Sequence, residues 1–228
     1  MAQKAKKTGP QKPTLTKEGH EGATLWTRHG MEDVYFQREA QVNFWTVLGG
    51  LAMAALLTQL SPLLQELRAS RWYLLLYLVA SILVLANSWV QTSWGSLAMK
   101  WPISIVTTII MLFQMLAQSI QCLMVTNPSG WLAATAGIIL FALFNQLYFE
   151  ISGAWEVYSP ESTKRYKFTN AVYFILMLIC LAGAFQLYRY PSHIAELVWG
   201  FVVVFLSIMA LFMQYTVMQV EKKMLGIP

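Results

Sequence analysis

Charge is what this sequence has least of. Only 12% of its 228 residues are Asp, Glu, Lys or Arg, against about 25% in soluble domains. No Asp, Glu, Lys, Arg or His lies deep within any of its long hydrophobic runs. Proton pumps, many ion-coupled transporters and voltage sensors need ionisable groups at depth, so those classes are disfavoured. Cysteine is also scarce. Cys122 and Cys180 are the only two, both within hydrophobic runs, and no CxxC pair exists. They read as small apolar packing residues, with no disulfide framework. His20, His29 and His193 lie far apart, so no metal or haem site is expected in the bundle. GxSxG, HExxH and P-loop patterns are missing too. The expectation is a protein that is not an enzyme and needs no cofactor. A net charge of +5 without a basic folded surface gives no reason to expect a nucleic-acid partner.

Hydrophobic text is what the sequence has instead, at 57% of residues. Six runs, near 42–62, 72–94, 102–125, 131–150, 169–189 and 193–218, are each long enough to cross a bilayer, which needs about 20 mostly apolar residues. The predicted fold is all-α: a polytopic membrane helix bundle of six transmembrane helices. A short amphipathic interfacial helix is predicted before them, over 25–41, where Met31, Val34, Tyr35 and Arg38 fall at helical spacing. The organisation follows: a basic tail and interfacial helix over 1–41, a six-span domain over 42–218, and a short tail over 219–228. Residues 1–23 lack the apolar content to build a core. No apolar stretch suited to a signal peptide occurs in the first forty residues, so the first span is expected to serve as targeting signal.

Punctuation and belts support this division. Pro62 and Pro191 mark the ends of spans one and five, and Asn127-Pro128-Ser129-Gly130 reads as a tight turn. Trp72, Tyr73, Trp94, Trp101, Trp131, Tyr148 and Tyr190 fall near span ends, as an interfacial aromatic belt would. With the N-terminus inside, every Lys and Arg except Arg68, Arg71 and Arg189 lies on the inner side. That bias predicts a plasma (inner) membrane protein with both termini cytoplasmic.

The polar residues within the spans are neutral. Gln114, Gln118 and Gln121 recur at i, i+4 and i+7, with Thr107 one heptad earlier, so they share one face of span three. Hydrocarbon cannot satisfy an amide, so this face is predicted to meet protein or water. Asn87 and Gln91 lie one turn apart on span two, and Asn145 and Gln146 sit on span four. Two uses suit such residues. They are interhelical hydrogen-bonding groups, or they line a path for an ion or neutral solute. Glu150 closes span four, either as a carboxylate at a pore mouth or as a helix-end acid pairing with Lys164, Arg165 or Lys167. The 151–168 loop, with Trp155 and the basic run Lys164-Arg165-Tyr166-Lys167, suits lipid or partner contact. Gly50 with Ala54, and Ala133 with Gly137, permit close helix approach.

The function expected from these residues is a small channel or solute-transport protein with a path lined by Gln, Asn and Thr. The alternative is a non-catalytic accessory subunit of a larger membrane complex. Its partners would be the lipid bilayer and either further copies of itself or other membrane subunits.

Overall fold

The structure is a computed structural model, and it describes residues 30–97, 105–151 and 160–225. The chain divides into two units, one ending at Ala40 and one running from Gln41. Among the described residues of the first there are only helical turns from Gly30 onward. Residues 1–23 and Trp155, assigned above to the basic tail and to the contact loop, lie outside the described residues.

All regular structure among the described residues is helical. The elements are α1 (Gly30–Thr58), α2 (Leu60–Arg68), α3 (Leu74–Leu97), α4 (Ile105–Leu123), α5 (Pro128–Ile151), α6 (Pro160–Arg189) and α7 (His193–Leu225). Six stretches are long and apolar enough to cross a membrane: Val42–Arg68, Leu74–Trp94, Ile105–Leu123, Pro128–Tyr148, Lys167–Arg189 and His193–Val220.

Several boundaries differ from those predicted. The short interfacial helix over 25–41 is not confirmed: residues 25–29 lie outside the described residues, and α1 begins at Gly30. A short amphipathic helix exists elsewhere. In α2, Leu60, Leu63, Leu64 and Leu67 recur at i, i+3, i+4 and i+7, and Leu63 is buried. Pro62 does not end span one. The helix breaks at Gln59, and Pro62 sits in the first turn of α2, where a missing backbone N–H costs little. The turn before α5 is also earlier than predicted. Pro128 is already helical, and Asn127 caps the helix by accepting from the Gly130 N–H at 3.2 Å. Residues 160–168, predicted as loop, form the first turns of α6, which opens on Pro160 at the position that favours proline.

The core is built around α5. It packs along α4 on one side and α6 on the other, while α3 packs along α7. Its span is also more enclosed than that of α4, so the predicted inner helix is flanked by a still more central one. Leu74, Tyr77, Cys122, Val125, Trp131 and Leu132 are fully buried together. Glycine sets two close approaches. A Cβ on Gly183 would meet the Trp199 ring at 2.8 Å, and one on Gly200 would meet Leu76 Cδ1 at 2.9 Å. Gly137 faces Ala117 across α4 and α5 at an ordinary 3.7 Å. Gly50, by contrast, has nothing near it.

The α3–α7 contact is therefore sensitive to added volume. Gly200→Val should lower stability by about 1–3 kcal/mol through overpacking. Thermal unfolding in detergent would show this as a fall of several degrees, and an unchanged midpoint would refute the tight approach.

A candidate solute chamber within the bundle

The glutamine face of α4 is where the buried polar groups begin. Gln118 and Gln121 are both 0% exposed, and Thr107 is buried at 1%. Gln121 donates through Nε2 to Thr135 Oγ1 at 2.7 Å. Thr135 in turn donates to the Trp131 carbonyl one turn back, at 2.9 Å. Trp131 Nε1 donates to Ser81 Oγ at 2.7 Å, and Ser81 donates to the Tyr77 carbonyl at 2.9 Å. The Tyr77 hydroxyl then donates to the Glu196 carbonyl at 2.8 Å. This relay joins α4, α5, α3 and α7. Gln118 adds a second bridge from α4 to α3, donating to Ser88 Oγ at 3.3 Å.

Sequence reasoning missed most of this relay. Trp131 was predicted to lie in the interfacial belt, but it is fully buried and stands edge-on to Tyr77 at 5.5 Å. Tyr73 is buried as well, whereas Trp72 and Tyr190 are exposed as a belt requires. The hint available for Trp131 was Thr135 one turn on, which with Trp131 makes an amphipathic pair inside an apolar span.

A second polar cluster closes the same end of the bundle. Ser70 adopts φ 66° between α2 and α3. The Ser70 and Arg71 N–H groups donate back to the Leu67 and Glu66 carbonyls, a Schellman motif with serine where glycine is usual. That turn aims Arg71 at two carboxylates, Glu66 at 2.9 Å and Glu196 at 3.0 Å. Arg71 Nε also donates to the Tyr73 oxygen at 2.9 Å, and Tyr73 donates to Glu196. With its one proton so committed, Tyr73 accepts from His193 Nδ1 at 2.6 Å. Burial alone would lower the Arg71 pKa, but its bonds to Tyr73, Glu66 and Glu196 outweigh this and keep the guanidinium charged. Burial and the neighbouring Glu196 carboxylate raise the Tyr73 pKa, so the phenol stays neutral.

Between these features and the opposite end lies a chamber of about 90 Å³. Helices α3 to α7 all contribute to it. Asn87, Ser88 and Gln91 come from α3, and Gln114 from α4. Trp131, Thr135 and Ala142 come from α5, Tyr173 and Cys180 from α6, and Val203 and Ser207 from α7. Gln114, Cys180, Val203 and Ser207 fall near the middle of their spans, whereas Trp131 and Gln91 lie close to a span end. No Asp, Glu, Lys, Arg or His lines it. Trp131, one of its lining residues, stands in edge contact with Tyr77.

The predicted polar residues thus divide into three groups. Gln118 and Gln121 bridge helices beside the chamber. Gln114, Asn87 and Gln91 line it. Asn145 and Gln146 are buried one turn beyond it on α5, with carbonyl oxygens that receive no hydrogen bond. Glu150 is at the helix end and pairs with Lys167 at 3.4 Å. Both are exposed, so the pair stabilises by at most about 1 kcal/mol. Lys164 and Arg165 belong to the first turns of α6. Among the described residues, no group of His, Cys, Asp or Glu could hold a metal ion.

Ser81 accepts the hydrogen bond of the Trp131 indole, so Ser81→Ala should leave a buried N–H unpaired and cost about 1–3 kcal/mol. Trp131→Phe in that background should cost less than it does alone. A thermal-melt double-mutant cycle showing strict additivity would reject the bond.

No protein-family model, curated protein or solved structure matches this chain.

Proposed function

We propose that this multi-pass membrane protein carries a small solute across the bilayer by way of the chamber between α3 and α7. The observation that supports this reading is the uncharged, amide-bearing chamber at mid-span, walled by five helices. Binding at the middle of a bundle with one end sealed is the arrangement alternating access uses. The sealed end is the Arg71 end, where Tyr77 and Trp131 are packed without exposure and the Arg71–Glu196 cluster holds α2, α3 and α7 together. The opposite end carries buried neutral amides, Asn145 and Gln146. The Lys and Arg distribution favours placing that amide end and both termini on the cytoplasmic side of a plasma (inner) membrane.

A non-catalytic subunit role is the second reading, and one observation favours it. Span one is among the least enclosed of the six. Its Gly49 and Gly50 face open space, as a helix awaiting a neighbouring chain would. Flux separates the two readings.

The chain reconstituted in vesicles should accelerate osmotic swelling in urea, acetamide or glycerol gradients, measured by light scattering. Gln114→Leu should slow that flux with helical content and melting unchanged, since an apolar constriction dewets. Vesicles no faster than protein-free ones for every solute would reject transport. Orientation is tested separately: a cysteine placed at Ser129 should react with an impermeant reagent from outside, and one at Ser162 should not.

A further inference from the structure

Among the described residues, the helices around the chamber sort into two layers. Helices α4, α5 and α6 pack along one another, and α3 packs along α7, whereas the two layers touch at few points. Several named contacts cross between the layers toward the Arg71 end. Trp131 donates to Ser81, and its ring stands edge-on to Tyr77. Trp199 Nε1 of α7 donates to Gln186 Oε1 of α6 at 3.1 Å. The Trp199 ring lies so near α6 that a Cβ on Gly183 would meet it at 2.8 Å. Gln118 and Ser88 cross near mid-span with a longer bond of 3.3 Å. The apolar core has the same asymmetry. Its buried members run from Leu74 to Leu85 on α3, from Trp131 to Ala136 on α5 and from Met177 to Leu187 on α6, with Val203 on α7. These stretches occupy the Arg71 end of their spans and reach the middle. Past them the chamber stands between the layers, with Asn87, Gln91 and Ser207 on one wall and Gln114, Ala142 and Tyr173 on the other.

Close-packed helices transmit strain, so helices that touch along their lengths move as a unit. Relative motion of two such units is resisted where side chains interlock and buried bonds cross, and is easy where a cavity parts them. Here the interlocked part is an apolar core. The parted region bears amides, which water can satisfy when it enters. We propose that the α3–α7 layer rocks as a rigid body against the α4–α5–α6 layer about the Trp131–Ser81 and Trp199–Gln186 contacts, opening the chamber at the end that carries Asn145 and Gln146. Trp199 is the bearing of this motion, a flat ring lying on helix backbone that Gly183 leaves bare. Rocking of one part of a bundle about a fixed site is how alternating access is achieved. The use of the motion rests on the transport reading, and its geometry does not.

Spin labels on the full-length chain in lipid nanodiscs test this, with Cys122→Ala and Cys180→Ala removing the native thiols and pulsed electron resonance reading the distances. Three pairs of cysteines are introduced at exposed positions. Trp89→Cys with Leu147→Cys crosses the layers at the amide end, and Leu75→Cys with Ala133→Cys crosses them at the Arg71 end. Ile109→Cys with Phe168→Cys lies within one layer. The first pair should give two distances, and each of the others one. A single distance for the first pair, or two for either of the others, would overturn the proposal. If the cysteine-free chain does not fold, the unaltered chain reports through its own thiols. Cys180 lines the chamber, whereas Cys122 lies in the core without lining it. A charged methanethiosulfonate should then modify Cys180 several-fold faster than Cys122, measured by peptide mass spectrometry, and equal rates would overturn the proposal. Two distances without accelerated flux would remove the transport reading and leave the motion standing. Flux with one distance would do the reverse.

Discussion

The relay from Gln121 through Thr135, Trp131, Ser81 and Tyr77 to the Glu196 carbonyl sets the register of four helices. In water each of these groups would find a partner wherever its helix happened to lie. In hydrocarbon a missed bond leaves a polar atom with nothing, at a cost of several kcal/mol. Apolar packing in lipid discriminates poorly between helix faces, since the tails are as apolar as leucine. The relay therefore decides which face of α4 meets α5, and which face of α5 meets α3. Close approach then follows at the small residues, Gly137 against Ala117 and Gly200 against Leu76.

The two ends of the bundle use different chemistry. At the Arg71 end, one guanidinium is shared by a phenol and two carboxylates, Glu66 of α2 and Glu196 of α7. A partly buried charge with several partners is costly to disturb, because removing one leaves the others uncompensated. That end is fixed. The other end has the exposed Glu150–Lys167 pair, weakened by water, and amides whose carbonyls accept nothing from the protein. A bundle held firmly at one end and loosely at the other opens more easily at the loose end.

How much of this was legible in the sequence depended on the range of the signal. Span count and the interior face of α4 were legible, because length, hydropathy and the spacing of Gln114, Gln118 and Gln121 are local properties. Asn127 was read as part of a turn and proved to be a cap, so α5 starts at Pro128, three residues before the predicted 131, within the usual uncertainty of helix ends. The relay was not legible. Ser81 and Trp131 are fifty residues apart, and each alone has an ordinary reading, as a mid-helix serine and as a belt tryptophan. The Arg71 cluster was hidden similarly. Glu196 and His193 read as the outer end of span six, and nothing local announces that Tyr73 lies beside them. The amphipathic α2 was not legible because its four leucines continue the apolar text of span one.

Bridging and binding need not compete for the same glutamines. Each interhelical bond of this kind adds only about 0.6 kcal/mol. The three that join helices here are tied together because Thr135 and Ser81 each accept on one side and donate on the other. Such sharing uses up protons. Wherever the relay passes a chamber wall, as at Thr135, the group facing inward is left with lone pairs alone. The bridging residues Gln118 and Gln121 thus shape the chamber without lining it, because they fix the hydroxyls of Ser88 and Thr135 from outside.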